Sequence, residues 1–127
     1  MGPATSPRKS LLLVEDDVAT RGAFTLLLEL QGYAVQEAAD GQEALDLLRV
    51  GPRPGCILLD LRMPRMDGRQ FRARQRQHTE WASIPVVVVS AEGNLAQEAR
   101  SLGVAGYLEK PVEADALVNA LRQHYLD

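Results

Sequence analysis

The sequence has little cysteine, few aromatic residues and no long apolar run. Its 127 residues include one cysteine, one tryptophan and two phenylalanines. No disulfide can therefore form within the chain, and a reducing cytoplasm is the expected compartment. No uninterrupted apolar run is longer than four residues, which excludes a membrane span or the apolar core of a signal peptide from these residues.

An excess of positive charge is also missing. The formal net charge is −3, so a general attraction to nucleic acid or to an anionic membrane is not expected. The two histidines, His78 and His124, have no metal-ligand spacing to each other or to Cys56, which argues against a zinc site. The chain does contain 46% hydrophobic residues, enough for one globular domain with its own core.

Segments typical of strands and of helices alternate five times along the chain. The predicted strands are 10–15, 33–38, 56–59, 85–90 and 105–110, and the predicted helices are 18–31, 40–49, 67–77, 95–102 and 113–126. Repeated strand–helix units are typical of an α/β fold, in which right-handed crossovers place helices on both faces of a parallel sheet. Residues 1–9 are predicted to be a disordered lead-in or a remnant of cloning, and residues 10–127 the folded domain.

Polar residues stand at the ends of four of the five predicted strands. They are Glu15, Asp16 and Asp17 at the first, Asp60 at the third, Ser90 at the fourth and Lys110 at the fifth. Because the carboxyl ends of parallel strands meet at one edge of the sheet, these side chains are expected to lie together. Each alone could have a structural role, such as the helix capping expected of Asp17 and Asp40.

Together, the strand ends indicate a site for a phosphoryl group. Converging carboxylates repel one another unless a cation neutralises them, and their oxygens favour a hard ion such as Mg²⁺, or Mn²⁺ in its place. An ammonium group and a hydroxyl beside that ion oppose the charge of a phosphoryl group and donate a hydrogen bond to it. Phosphoryl transfer to an aspartate needs little beyond positioning and charge neutralisation, so Asp60 is the candidate nucleophile.

An ordered set of motifs carries a resemblance across nearly the whole chain. Its parts are LLLVEDD (11–17), GYAVQEAADGQEALDLL (32–48), ILLDLRMPRMDG (57–68), IPVVVVSA (84–91) and GYLEKP (106–111). In these motifs the chain resembles the receiver domains of two-component response regulators, of the kind found in chemotaxis regulators. The resemblance implies a doubly wound (βα)5 sandwich, flavodoxin-like, with a five-stranded parallel sheet in the order 2-1-3-4-5.

The resemblance also implies a role for each residue of the pocket. Asp60 corresponds to the phosphoacceptor. The metal ligands it implies are Asp16, Glu15 as the second acid of the pocket, Asp60 itself and the backbone carbonyl of Arg62. Lys110 corresponds to the lysine that pairs with the phosphoryl group.

A conformational switch is implied as well. In the family, a hydroxyl corresponding to Ser90 moves toward the phosphoryl oxygen, and an aromatic side chain corresponding to Tyr107 then turns inward. The expected output face is formed by residues 95–102, the fifth strand and the last helix, and it would bind a second copy of the chain or an effector. The bond before Pro111 invites the cis form, which would aim Lys110 toward Asp60.

The implied partner is a sensor histidine kinase or a phosphotransfer protein that carries a phosphohistidine. Arg62 and Glu92 lie two residues beyond Asp60 and Ser90, at positions that tune the lifetime of the aspartyl phosphate in this family. We predict that these two residues pair across the mouth of the site. The domain would be a regulatory phosphoacceptor that assists its own phosphorylation and dephosphorylation, and not a turnover enzyme.

The third predicted helix departs from the family pattern. Six of the twelve arginines lie between residues 62 and 76, and Arg72 and Gln75 occupy positions that are usually apolar. One interpretation is a basic patch for an acidic partner or nucleic acid. The interpretation that we favour is a solvated face whose arginine stems cover apolar surface, with Phe71 as the main anchor.

Three other functions fit parts of the pattern. A Mg²⁺-dependent phosphatase or phosphotransferase with Asp60 as nucleophile would need an acid–base residue two places later, where Arg62 stands. A flavin-binding module would need a phosphate cradle rich in hydroxyl groups and glycine after the first strand, where the sequence is EDDVATR. A structural domain of the same fold that has lost phosphorylation would not need the intact set of pocket residues.

Overall fold

The computed structural model describes residues 8–127, in which five strands and five helices alternate. The strands are β1 (Lys9–Val14), β2 (Tyr33–Ala38), β3 (Ile57–Leu59), β4 (Val86–Ser90) and β5 (Gly106–Glu109), and the helices are α1 (Val18–Leu30), α2 (Gly41–Val50), α3 (Gly68–Gln77), α4 (Leu95–Leu102) and α5 (Ala114–His124). Residues 1–7 of the predicted lead-in lie outside the described residues, and the prediction was wrong for Lys9, which begins β1 because it pairs with Tyr33 of β2. Within the described residues, no helix is both long enough and apolar enough to cross a membrane.

The strands form one parallel sheet in the order β2-β1-β3-β4-β5. This confirms the α/β class predicted from the alternation and the strand order implied by the resemblance. The largest difference in element bounds is at the last helix, which was predicted to reach residue 126 and ends at His124. It ends there because Tyr125 adopts an extended backbone, and its hydroxyl donates a hydrogen bond to the carbonyl of Ser10 at 2.9 Å.

A hydrophobic core lies on each face of the sheet. Alternate residues of a strand point to opposite faces, so Leu12 and Val14 of β1 enter the core under α2, α3 and α4, whereas Leu11 and Leu13 enter the core under α1 and α5. The central strand β3 is buried on both faces and is apolar throughout, as expected in a covered parallel sheet. The two cores enclose the central strands, and the polar residues of the carboxyl edge follow these strands.

The ends of the helices are fixed by short polar side chains. Asp17 accepts a hydrogen bond from the N–H of Thr20 at 2.8 Å and caps α1, and Asp40 accepts one from the N–H of Glu43 at 2.9 Å and caps α2. Both caps confirm the sequence prediction, because a carboxylate satisfies backbone donors that have no partner within the helix.

Helix α3 differs from the solvated face that we favoured. Phe71 is fully buried, as predicted, but Arg72 and Gln75 are buried as well. Arg72 donates to the carbonyls of Leu102 at 3.0 Å and Gly103 at 2.8 Å, at the end of α4, and to Oε1 of Gln75 at 2.7 Å. The prediction was therefore wrong for these two polar residues.

The physical reason is that both side chains find backbone partners. Nε2 of Gln75 donates to the carbonyls of Trp81 at 2.9 Å and Ile84 at 3.0 Å. Burial of a polar group is tolerated when its hydrogen bonds are satisfied. Arg72 and Gln75 thus tie α3 to the end of α4 and to the loop before β4.

Candidate functional site

Three carboxylates converge at the carboxyl edge of the sheet. Val14 of β1 pairs with Leu59 of β3, so the residues that follow them, Glu15 and Asp60, lie side by side. One oxygen from each of Glu15, Asp16 and Asp60 lies within 4.8 Å of the others. Glu15 and Asp60 are buried, and Asp16 is exposed. The structure thus brings together the three acids that the sequence predicted as metal ligands.

Lys110 reaches the same pocket from the end of β5. Its Nζ donates to Oε1 of Glu15 at 2.5 Å and to Oδ2 of Asp60 at 3.2 Å. The Lys110–Pro111 peptide bond is cis, in agreement with the sequence prediction. The two hydrogen bonds place the ammonium group in direct contact with both buried acids.

Burial and charge oppose each other in this pocket. Burial raises the pKa of Glu15 above its usual value, and the hydrogen bonds from Lys110 and from the N–H of Asp17 offset this only in part. Burial lowers the pKa of Lys110, but its contacts with Glu15 and Asp60 outweigh this and raise the pKa above its usual value. Three carboxylates share one ammonium group, so the pocket favours an additional cation.

The two oxygens of Asp60 have different partners. Oδ1 accepts a hydrogen bond from the N–H of Arg62 at 3.3 Å, and Oδ2 accepts one from Lys110. The N–H of Asp60 donates to the carbonyl of Val14 at 3.0 Å, which continues the pairing of β1 with β3. Asp60 is thus held by the sheet through its backbone and by donors on both of its carboxylate oxygens.

The two predicted switch residues lie on neighbouring strands. Ser90 is buried at the end of β4, and its Oγ accepts a hydrogen bond from the N–H of Glu92 at 3.4 Å. Tyr107 of β5 is exposed, with 47% of its surface accessible to solvent. The carbonyl of Ser90 also accepts a hydrogen bond from the N–H of Lys110 at 2.9 Å, so the backbones of these two residues are paired at the carboxyl edge of the sheet.

The predicted pair at the mouth of the site is present. Nε of Arg62 donates to Oε1 of Glu92 at 3.2 Å. A second arginine, Arg69 of α3, also contacts Glu92 and bonds to Glu98 of α4, and this arginine was not predicted from the sequence. The arginine-rich segment was the available signal, but spacing alone does not show that the first turn of α3 faces the loop after β4.

The loop that follows Asp60 is attached to the start of α2. Oδ2 of the buried Asp40 accepts a hydrogen bond from Nε of Arg65 at 2.6 Å, and the N–H of Gly41 donates to the carbonyl of Met66 at 2.8 Å. Arg65 adopts the left-handed region, with φ of 62°. The sequence predicted Asp40 as a helix cap but not this second contact.

Replacement of Asp40 by asparagine is expected to lower the free energy of unfolding at neutral pH by about 1 kcal/mol. Asparagine caps a helix as well as aspartate does, so the loss reports on the charged contact with Arg65. Burial raises the pKa of Asp40, but the hydrogen bonds from the N–H of Glu43 and from Arg65 outweigh it and hold the pKa below its usual value.

The sign of the pH dependence follows from this lowered pKa. The stabilisation is present above the pKa of the unfolded state and is lost as the pH falls through the lower pKa of the folded state. Urea unfolding of Asp40→Asn and of the unmodified chain at a series of acidic pH values should show that the difference between their free energies of unfolding decreases as the pH falls. A difference that stays constant down to full protonation would contradict the role of the Asp40 charge.

Most of the chain is similar in sequence to known response regulators. A family model described as "Response regulator receiver domain" matches residues 11–122. The chain is 34% identical over 114 residues to the response regulator MprA of Mycolicibacterium vanbaalenii, covering 88% of this chain and 48% of that protein. It is 34% identical over 119 residues to the transcriptional regulatory protein FixJ of Bradyrhizobium diazoefficiens, covering 89% and 57%. The chain thus spans about half the length of these curated relatives.

Solved structures show the same similarity. The chemotaxis protein CheY4 of Vibrio cholerae matches with a TM-score of 0.85 and 29% identity, over 93% of this chain and 99% of that one. A response regulator receiver protein from Pseudomonas putida matches with a TM-score of 0.85 and 29% identity, over 94% and 99%.

Proposed function

The chain belongs to the response regulator receiver family of two-component signalling, and from this premise we propose that Asp60 accepts a phosphoryl group from a phosphohistidine on a partner protein. The partner class is a sensor histidine kinase or a phosphotransfer protein. The observation that carries the proposal is the convergence on Asp60 of two further acids from the end of β1 and of Lys110 from the end of β5.

The proposed transfer is a single displacement at phosphorus. An oxygen of the Asp60 carboxylate forms a bond to phosphorus while the P–N bond of the phosphohistidine breaks. The electron pair of that bond stays on the imidazole nitrogen, which takes up a proton. A carboxylate nucleophile needs no general base. Lys110, 3.2 Å from Oδ2 of Asp60, opposes the charge on the phosphoryl oxygens, and the hydroxyl of Ser90 donates a hydrogen bond to them.

A divalent cation fits the pocket. The support is the chemistry of the donors, because three carboxylate oxygens within 4.8 Å of one another are the ligand type that Mg²⁺ prefers, with Mn²⁺ as a substitute. We propose Glu15, Asp16, Asp60 and the backbone carbonyl of Arg62 as the residues that hold it. When bound, the ion supplies positive charge that neutralises the acids and the phosphoryl oxygens.

The proposed role of the transfer is regulatory. The chain becomes the modified product, and hydrolysis of the aspartyl phosphate returns it to the starting state, so it is a phosphoacceptor domain and not a turnover enzyme. Ser90 and Tyr107 are the proposed switch, and the α4-β5-α5 face is the proposed surface for a second copy or an effector. The proposed location is the cytoplasm.

Intact-mass measurement tests the function directly. Incubation with Mg²⁺ and a small phosphodonor such as acetyl phosphate should add one phosphoryl group to the unmodified chain, and chelation of the metal should prevent it. Asp60→Asn should take up none. The matched control is Asp67→Asn, since Asp67 caps α3 outside the acidic pocket and asparagine keeps the cap. Equal uptake by Asp60→Asn and the unmodified chain would contradict the proposal.

A further inference from the structure

Arg69, in the first turn of α3, joins two acids from the region between β4 and α4. Its Nη2 contacts Glu92 and lies 2.6 Å from Oε1 of Glu98. Its Nε donates to the same oxygen of Glu98 at 3.1 Å. Three elements therefore meet at one guanidinium group: α3, the loop after β4 and the first turn of α4.

Glu92 is held from two sides. Its Oε1 bonds to Arg62 and its Oε2 to Arg69. Burial raises the pKa of Glu92, but the two arginines, Arg69 first, outweigh it and hold the pKa below its usual value. The N–H of Glu92 donates to Oγ of Ser90, which connects this residue to the hydroxyl of the proposed site.

The two arginines are not equivalent. The side chain of Arg62 is 81% exposed and that of Arg69 is 37% exposed, while that of Glu92 is only 14% exposed. An exposed ion pair contributes little to stability, because two long side chains must be ordered in water to form it. An arginine fixed by two carboxylates is better ordered. Arg69 is therefore the anchor of Glu92, and Arg62 is its outer partner.

We infer that Arg69 is a positioning residue that sets the lifetime of the aspartyl phosphate by holding Glu92, and through it Arg62, across the mouth of the site. This inference rests on the proposed function. In the hydrolysis step, the oxygen of a water molecule forms a bond to phosphorus and the bond from phosphorus to the Asp60 oxygen breaks. Asp60 leaves as a carboxylate, and a proton from the water passes to solvent. The Arg62–Glu92 pair restricts the approach of that water, and Arg69 keeps the pair in place.

The rate of dephosphorylation tests the consequence. Arg69→Met keeps the apolar stem and removes the charge, and it is expected to lose the phosphoryl group about threefold faster than the unmodified chain. Glu92→Gln should have a similar effect, and the double variant should be no faster than Glu92→Gln alone. Arg74→Met is the matched control, because Arg74 is an exposed arginine of the same helix, and its rate should be unchanged.

A spectroscopic measurement on the unphosphorylated chain separates positioning from a general structural role. In ¹H–¹⁵N spectra, the amide signal of Glu92 should move in Arg69→Met and stay in place in Arg74→Met. Arg69→Lys should restore the lifetime only in part, because an ammonium group cannot reach both acids with the fork of a guanidinium. Urea unfolding confirms that the compared variants are folded under assay conditions.

The outcomes distinguish this inference from the proposed function. Failure of the unmodified chain to take up a phosphoryl group would overturn the proposed function and the lifetime statement together, while the spectra still show whether Arg69 positions Glu92. Normal uptake with an unchanged lifetime in Arg69→Met would overturn the inference alone. So would effects of Arg69→Met and Glu92→Gln that simply add in the double variant, or a Glu92 amide signal that does not move.

Discussion

Gly68→Ala is expected to destabilise the protein by about 3 kcal/mol. Gly68 is the first residue of α3, and its N–H donates to the carbonyl of Leu61 at 3.0 Å. A Cβ at this position would overlap the carbonyl oxygen of Asp60 and lie 2.8 Å from the Cα of Leu61. Both are backbone atoms, so the clash is relieved only if α3 moves away from the strand end that carries the proposed nucleophile. The free energy of urea unfolding measures the loss.

A second glycine provides the control for this prediction. Gly22 is exposed within α1, and a Cβ built there meets nothing within 4 Å. Alanine has a higher helix propensity than glycine, so Gly22→Ala is expected to stabilise the protein by about 0.5–1 kcal/mol. The two variants make the same chemical change, but Gly68→Ala is expected to lower the free energy of unfolding and Gly22→Ala to raise it. A Gly68→Ala protein as stable as the unmodified chain would show that the contact with Asp60 is not tight.

Lys110→Ala is expected to slow uptake of the phosphoryl group by about a hundredfold. Lys110 is the cationic side chain that bonds to both buried acids, at 2.5 Å from Glu15 and 3.2 Å from Asp60. Its removal takes away a fixed positive charge at the point where the phosphoryl oxygens arrive. The initial rate of mass gain, at fixed concentrations of acetyl phosphate and Mg²⁺, measures the effect.

The other lysine of the chain is the matched control. Lys9 begins β1, and its Nζ lies 3.2 Å from Asp127 in an exposed pair. Lys9→Ala removes the same functional group at the opposite end of the sheet, so the rate of uptake should not change, and an exposed pair contributes little to stability. If Lys110→Ala accepts phosphoryl groups at the rate of Lys9→Ala, the assignment of Lys110 is wrong.

The local signals of the sequence predicted the α/β class because they are repeated along the chain, whereas the strand order was implied by the resemblance to receiver domains. The strand at 33–38 and the helix at 95–102 have the predicted bounds. Alternation of apolar strands with amphipathic helices leaves few topologies once crossovers are right-handed. The same regularity places the strand ends at one edge, so the meeting of Glu15, Asp60 and Lys110 could be inferred before their distances were known.

Tertiary structure decided the partners of the long polar side chains. Arg69, Arg72 and Gln75 all lie in an arginine-rich helix that reads as a solvated surface, yet two of them are buried and the third anchors Glu92. Local spacing shows which side of a helix is apolar. It does not show which carbonyl or carboxylate of another element lies within reach of an extended side chain.

The sequence by itself thus determined the alternation of strands and helices, the apolar faces that form the two cores and the set of residues at the carboxyl edge, because the period of apolar residues is a property of short segments. Only the position of α3 relative to α4 decided that Arg72 donates hydrogen bonds to the carbonyls of Leu102 and Gly103. The same arrangement placed Arg69 beside Glu92 and Glu98. Such contacts join residues far apart in the chain, and they exist only once the helices have docked.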